Sequence, residues 1–409
     1  MSQMPEDTSG AIGANSLVTA GGAVARGGSD LGAVTLIRDA GLAWEDGVIT
    51  YVGPADGLPG PAGFECATVV PGFVDCHTHL PFFGWRADEF EARLAGKSYR
   101  DLHGEGGIYR SSRMLDEASD EEVLVFCRPL VAEMADHGTT ALELKTGYGL
   151  SVEAELRQAR LARALAEEAP QTCTVTLLAC HAVPNGMDRE AWVRTACDEL
   201  IPAAAKEGLI DAVDVYVEDI AFSLEDLSEV AAAATALGLP LRCHADQLGA
   251  SGAVEAAVAL GARSADHLNN VSPAGVAALG SGRTVGVLLP TSTFFIKATP
   301  PSARAIVDAG AAVALATDFN PGTSPVLSMP EAIAMGCTLY GLTPHEALTA
   351  TTLNPATVLG LADRLGTLEV GKRADFVVLE AEGFEQVPYR SGHDPVLHTY
   401  ITGRRVGGR

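Results

Sequence analysis

Between residues 71 and 318 one pattern repeats eight times: an apolar run of about 5–8 residues, then a stretch with helical spacing. The runs are 71–79, 140–145, 174–181, 212–218, 239–244, 263–267, 284–290 and 312–318. The intervening stretches carry helix signals. Ser119-Asp120-Glu121-Glu122 has the form of a capping box, and Val123, Leu124, Phe126, Leu130, Val131 and Met134 follow at helical spacing. Ser151 and Ser223 open two more helices, and 249–260, 272–279 and 303–309 supply others. Eight such repeats define an α/β fold, a (β/α)8 TIM-like barrel, whose usual size is about 250 residues. An open doubly wound sheet would want a glycine-rich phosphate loop after its first strand. No such loop follows residue 79.

The two ends of the chain read differently. Leu17-Val18-Thr19, Gly41-Leu42-Ala43-Trp44 and Val48-Ile49-Thr50-Tyr51-Val52 are short strand-like pieces, and Asp46-Gly47 suits a hairpin turn. Ala374 to Leu379 and Thr399 to Thr402 are strand-like at the other end. We therefore expect a small β-sandwich domain assembled from both chain ends (15–70 and 364–409) around a barrel at 71–363. Residues 1–14, polar and acidic, are expected to form a flexible tail.

The formal net charge is -24, which disfavours nucleic acid and anionic membranes as partners because both require basic patches. No apolar run reaches the roughly 18 residues of a membrane span. The eight cysteines are irregularly spaced and form no CxxC pair, so no disulfide framework is expected. Cys76, Cys180 and Cys243 each precede a histidine and would face away from it on a strand, as small buried hydrophobes. The expectation is a cytoplasmic protein with a small-molecule substrate.

Active sites of such barrels lie at the C-terminal ends of the strands. Five of the ten histidines fall there: His77 and His79 on run one, His181 on three, His244 on five and His267 on six. Lys145, Glu218 and Asp318 end runs two, four and eight. Residues i and i+2 of a strand share a face, so His77 and His79 can direct two imidazoles at one metal ion. A ring of polar groups around one mouth implies a metal or a ligand, because burying them unpaired costs free energy.

His-x-His on run one, His on five, His on six and Asp on eight resembles the amidohydrolase superfamily. The resemblance implies one divalent metal ion per chain, zinc or iron, held by His77, His79, His244 and Asp318. It implies that Asp318 also takes a proton from the attacking water and that His267 polarises the substrate or shuttles a proton. Binuclear members usually carry a bridging lysine on strand four. Here Val215-Tyr216-Val217-Glu218 has none, which favours one metal, although Glu218 leaves the point open.

Six stretches narrow the resemblance: His77-Thr78-His79-Leu80 with Arg86-Ala87-Asp88-Glu89-Phe90, Glu143-Leu144-Lys145-Thr146-Gly147-Tyr148-Gly149-Leu150, His181-Ala182-Val183-Pro184, His244-Ala245-Asp246-Gln247, Ser264-Ala265-Asp266-His267-Leu268, and the stretch from Ala316 to Pro325. In this order they are similar to the imidazolonepropionase family, which opens the ring of 4-imidazolone-5-propanoate to N-formimidoyl-L-glutamate in histidine breakdown. The resemblance assigns substrate binding to Arg86, Tyr148, His181, Gln247, Asn320, Gly322 and Thr323. Arg86 would grip the propionate through two hydrogen bonds. Superfamily barrels are often dimers, so a homodimer is allowed for.

Three positions depart from the family pattern. Phe83 and Trp85 replace smaller residues and are expected to add bulk beside the substrate; Glu105 stands where a glycine is usual. Gln247 is neutral and cannot serve as a general base, which leaves that work to Asp318 and His267. The alternative reading within the superfamily is an amidohydrolase or deaminase of a different small cyclic amide or amidine. A non-catalytic metal-binding barrel would have no need of the complete set from His77 to Asp318. A purely structural or interaction protein would have no reason to gather histidines at strand ends.

Overall fold

The computed structural model describes residues 8–97 and 106–409; Glu105 lies outside them. The chain begins with four strands, β1 (Gly10–Thr19), β2 (Thr35–Glu45), β3 (Val48–Pro54) and β4 (Phe64–Pro71). The barrel strands follow: β5 (Phe73–Asp75), β6 (Thr139–Lys145), β7 (Thr172–Cys180), β8 (Ala212–Val217), β9 (Leu241–Ala245), β10 (Ser264–His267), β11 (Val285–Leu288) and β12 (Val313–Leu315). Three strands close the chain, β13 (Phe376–Leu379), β14 (Val396–Ile401) and β15 (Arg404–Gly407).

The eight barrel strands are hydrogen-bonded in sequence order and run parallel. The ring closes beyond the strand ends. His79 N–H donates to Phe319 O at 2.9 Å, and Thr317 donates to the Asp75 carboxylate through its N–H at 3.2 Å and its hydroxyl at 2.5 Å. The helices between strands begin where the caps predict. Ser119 and Glu122 form a complete capping box on the helix Asp120–Asp136, and Ser223 and Asp226 do the same for Leu224–Ala236. Each such cap is worth about 1 kcal/mol.

The other seven strands form one sheet in the order β15-β14-β13-β4-β1-β2-β3, drawn from both chain ends. That sheet folds back on itself. Trp44 on β2 lies 5.0 Å from the ring of Phe376 on β13 and 5.8 Å from Tyr400 on β14. In a flat sheet β2 and β13, three places apart, would be separated by roughly 14 Å. The curl brings opposite halves face to face around Ile12, Leu17, Leu42, Trp44, Val69 and Phe376, as two layers of a sandwich would be. The β2–β3 turn has Asp46 and Gly47 both at positive φ (50° and 76°), the form that Asp-Gly adopts in tight hairpins.

Residues 10–14, expected within the flexible tail, belong instead to β1, which begins at Gly10 and pairs with both β2 and β4; residues 1–7 lie outside the described residues. The small residues that read as flexible are what the packing demands. A Cβ on Gly10 would come within 2.7 Å of the Trp44 ring, and one on Gly13 would overlap the Glu65 carboxylate.

Candidate active site

Beyond β5 the backbone stays extended, and His77 and His79 turn to the same side with their rings 5.3 Å apart. Thr78, between them, faces the other way and donates to Glu143 O at 2.5 Å. His244 from β9 and His267 from β10 complete a cluster at the mouth: His77–His244 rings are 4.5 Å apart and His244–His267 rings 5.2 Å. Asp318 Oδ1 lies 3.3 Å from His79 Nε2 and 3.6 Å from His77 Nε2. Donor atoms of His77, His79 and Asp318 converge within 4.8 Å of one another, and so do those of His77, His244 and His267. All five residues are buried. Burial holds the His77 and His79 imidazoles well below the ordinary range, pushes His267 down to about 3, and raises the Asp318 carboxyl. Neutral imidazoles and an acceptor carboxylate are the forms that ligate a metal.

Two features beneath the cluster fit it to a cation. His77 Nδ1 is 2.6 Å from Asp266 Oδ2, and His244 Nδ1 is 3.1 Å from Asp214 Oδ2. Asp266 fixes the protonated nitrogen of His77, Asp214 lies within ion-pair distance of His244 Nδ1, and both Nε2 atoms are buried without hydrogen-bond partners among the described residues. Around the cluster the buried carboxylates Asp75, Glu143, Asp214, Asp266 and Asp318 outnumber the buried cations Arg86, Lys145 and Arg242, a setting that favours a cation among the histidines. The loops that deliver these groups are strained: Asp246, His267, Leu268 and Asp318 take positive φ values of 52°, 80°, 62° and 53° just after or at the strand ends.

The substrate side of the cavity is lined by Arg86, Tyr148, His181, Gln247, Asn320 and Thr323 together with His79, His244, His267 and Asp318. Arg86 is 4% exposed, yet among the described residues its Nε and Nη1 find no hydrogen-bond partner; Nη1 lies 3.7 Å from Glu89. Gly322 makes room for it, since a Cβ there would overlap the guanidinium. Gly322→Ala should therefore leave the fold intact and displace Arg86. Initial rates should show KM raised by up to about 100-fold, the scale of an ångström-sized misplacement.

Asn320, which lines the cavity, also shapes the loop after Asp318. Its amide N–H donates to Asp318 O at 2.6 Å, and its Oδ1 accepts from the N–H of Gly322 (2.9 Å) and Thr323 (2.7 Å) and from the Thr323 hydroxyl (3.0 Å). It builds the loop that carries Gly322 and Thr323. His181 Nδ1 lies 3.1 Å from Gly147 O, an acceptor, so that nitrogen bears the proton and Nε2 is the acceptor. Gly147 sits at φ 112°, where a Cβ would press on the His181 ring at 2.8 Å. The whole 147–150 turn hangs on Glu155, whose carboxylate accepts from the N–H of Gly147, Gly149 and Leu150 at 2.7–3.1 Å.

Some expectations change. Phe83 and Trp85 do not line this cavity; they pack on Phe126, at 5.5 and 5.7 Å between rings, in an aromatic cluster with Phe82, and Trp85 also borders a neighbouring pocket together with Arg86 and Gly322. Glu218 does not line the cavity either; its carboxylate accepts from Leu248 N–H at 2.7 Å and holds the loop bearing Gln247. Burial raises its pKa to about 7. Between about 4.5 and 7 the folded protein therefore keeps a proton that the unfolded chain releases, so this group lowers stability as pH rises through that window. Glu218→Gln removes the effect. Its Tm relative to wild type should be higher at pH 8 than at pH 4.5, read by thermal melts across pH 4–8.

Tyr216, which lines the cavity, and the buried charges Glu143, Asp214, Arg242 and Asp266 escaped the sequence reading of the site. Charged residues inside otherwise apolar strands were the available signal. Cys76, Cys180 and Cys243 are buried, and burial pushes their thiols well above the ordinary range.

Comparison with known proteins matches this architecture. Residues 68–406 match the model of the amidohydrolase family. The chain is 41% identical over 387 residues to the imidazolonepropionase of Aeromonas hydrophila, covering 92% of this chain and 94% of that one. It is 43% identical over 387 residues to that of a Methylobacterium species (92% and 96%), and 42% over 390 residues to that of Rubrobacter xylanophilus (92% and 93%). Among solved structures, a zinc-bound adenosine deaminase from Xanthomonas campestris superposes with a TM-score of 0.70 at 19% identity, covering 97% of this chain and 92% of that one. Ochratoxinase from A. niger superposes with 0.73 at 16% (99% and 97%); both likenesses concern the fold. No helix among the described residues is long and apolar enough to cross a membrane. With its barrel, its histidine and aspartate cluster and these relatives taken together, the chain belongs to the amidohydrolase family and, within it, to the imidazolonepropionases.

Proposed function

We propose that the chain hydrolyses the ring acyl C–N bond of 4-imidazolone-5-propanoate, giving N-formimidoyl-L-glutamate. The observation that carries this reading is the buried Arg86, with two unmatched donor atoms, in the same cavity as His79, His244, His267 and Asp318. A small anion with a hydrolysable ring answers both halves of that cavity. The deaminases among the structural relatives share the fold alone, at under 20% identity.

In this reading His77, His79, His244 and Asp318 hold one divalent ion, for which their donor set suits zinc or iron alike. When bound it supplies Lewis acidity and lowers the pKa of water toward about 7. Arg86 grips the propionate and fixes the ring's orientation. His181, through its acceptor Nε2, receives a ring N–H, while Tyr148 and Gln247 border the ring. Asp318 takes a proton from the attacking water as the new C–O bond forms. It returns that proton to the ring nitrogen as the acyl C–N bond breaks. His267, neutral, donates to the carbonyl oxygen where negative charge develops. Gly322 and Thr323 close the loop against Arg86. The same reading includes a cytoplasmic location and a homodimer, for which cell fractionation and light scattering are the tests.

The test is ultraviolet-monitored hydrolysis of freshly prepared 4-imidazolone-5-propanoate by metal-replete protein, with metal content measured by atomic emission. Turnover that disappears on chelation and returns with zinc or ferrous iron is expected. A metal-replete protein that leaves this compound intact ends the substrate assignment.

A further inference from the structure

Five charged side chains lie inside the barrel beneath the histidine cluster, all 1% exposed or less. They form a connected path between two histidines. Lys145 Nζ sits 2.6 Å from Asp214 and 2.9 Å from Glu143. Arg242 contacts Glu143 through Nη1 and lies 2.9 Å from Asp266 through Nη2; its Nε donates to Ser264 at 2.9 Å. Asp214 then meets His244, and Asp266 meets His77. Among the described residues Glu143 alone forms ion pairs with both cations, and it forms none with either histidine. The Thr176 hydroxyl donates to the same carboxylate.

We propose that Glu143 is a positioning residue for the metal centre. It braces Lys145 and Arg242, which orient Asp214 and Asp266, which set the ring angles of His244 and His77. Metal affinity is thus tuned from the floor of the barrel, three contacts away from the nearest ligand. The physical argument is geometric. A carboxylate bonded to one imidazole nitrogen orients the other only as well as the carboxylate is itself held. Asp214 and Asp266 are held by one cation each from this set, Lys145 and Arg242, and each of those cations is shared with Glu143. Removing the shared acceptor frees both arms at once. Simple burial of an ion pair would not require the path to end on two metal-directed rings from different strands.

This inference rests on the metal reading above, and its test separates the two. Metal-free protein is titrated with Zn2+ against a chromophoric chelator, and with Co2+ while the visible d–d absorption is recorded. Wild type, Glu143→Gln, Asp214→Asn and Asp266→Asn are compared. The aspartate variants should lose about 10- to 100-fold in affinity, the range found for residues that orient metal ligands. Glu143→Gln should fall in the same range and shift the Co2+ absorption, although it touches no ligand. A folded Glu143→Gln with wild-type Zn2+ affinity and an unchanged Co2+ spectrum would overturn the proposal, even if its Tm were lower. Wild type that binds neither ion would instead overturn the metal reading. If Glu143→Gln does not fold, Thr176→Val decides the matter, since it removes one donor from the same carboxylate. A loss of affinity smaller than that of the aspartate variants, with a shifted Co2+ spectrum, supports the proposal; unchanged binding refutes it.

Discussion

Asp318→Asn is expected to lower kcat by about 100- to 10,000-fold, the range for removing a positioned proton-transfer group. The substitution keeps the size and shape of the side chain. It removes the negative charge that lies 3.3 Å from His79 and 3.6 Å from His77 and replaces one carboxylate oxygen with an amide nitrogen. Two effects are therefore superimposed: weaker metal binding and the loss of the group that moves the proton. Assays at saturating zinc, with bound metal counted in the same samples, separate them. A fully loaded Asp318→Asn protein should still show the deep loss in kcat with little change in KM. If full loading restores kcat to within tenfold of wild type, Asp318 acts as a ligand only and the proton travels by another group.

Arg86→Met carries the second large effect, and it has two signs. Losing a bidentate, charge-assisted contact to the propionate costs about 2–4 kcal/mol, or roughly 30- to 1,000-fold in kcat/KM. Most of that should appear as a raised KM, because the contact is present in substrate and transition state alike. The free protein should gain stability. A guanidinium that is buried with Nε and Nη1 unmatched is unfavourable, and each unsatisfied group costs about 1–3 kcal/mol. Glu89, its neighbour at 3.7 Å, keeps other partners in Gly107 N–H and Arg110. A rise in Tm of about 2 °C without substrate is the expected result. Lower Tm together with unchanged KM would show Arg86 to be a structural cation.

The barrel was legible because its strands are buried on both faces and read as unbroken apolar runs. The ligand candidates were legible because seven of those eight runs stop at a polar residue, all but the one ending at Pro290. What could not be read is the partner of each charge. Glu143 and Lys145 alternate with leucines on β6, so the sequence shows that they share a face. It does not show that Arg242, a hundred positions on, occupies the space between Glu143 and Asp266. Phe83 misled for a related reason: proximity to Arg86 in sequence says nothing of which wall a side chain joins, and Phe83 packs on Phe126, whereas Trp85 does share a pocket with Arg86. The early start of β1 was hidden because glycines chosen to admit Trp44 look the same as glycines in a loose tail. Gly322 is a parallel case, with Arg86 as the group admitted.

The curled sheet has a consequence for biosynthesis. β4 runs into β5 across Gly72 alone, and β4 takes its second neighbour from β13, with Val69 opposite Val378. A nascent chain therefore carries His77 and His79 long before it carries the strand that locks the segment leading to them. Domains tend to fold from the amino terminus as synthesis proceeds, but this one cannot finish its first barrel strand's support until residues 376–401 have emerged. Until then β4 offers an open edge to any other strand nearby. Chains cut short before Phe376 should accumulate as aggregates even though every candidate ligand is already present in them.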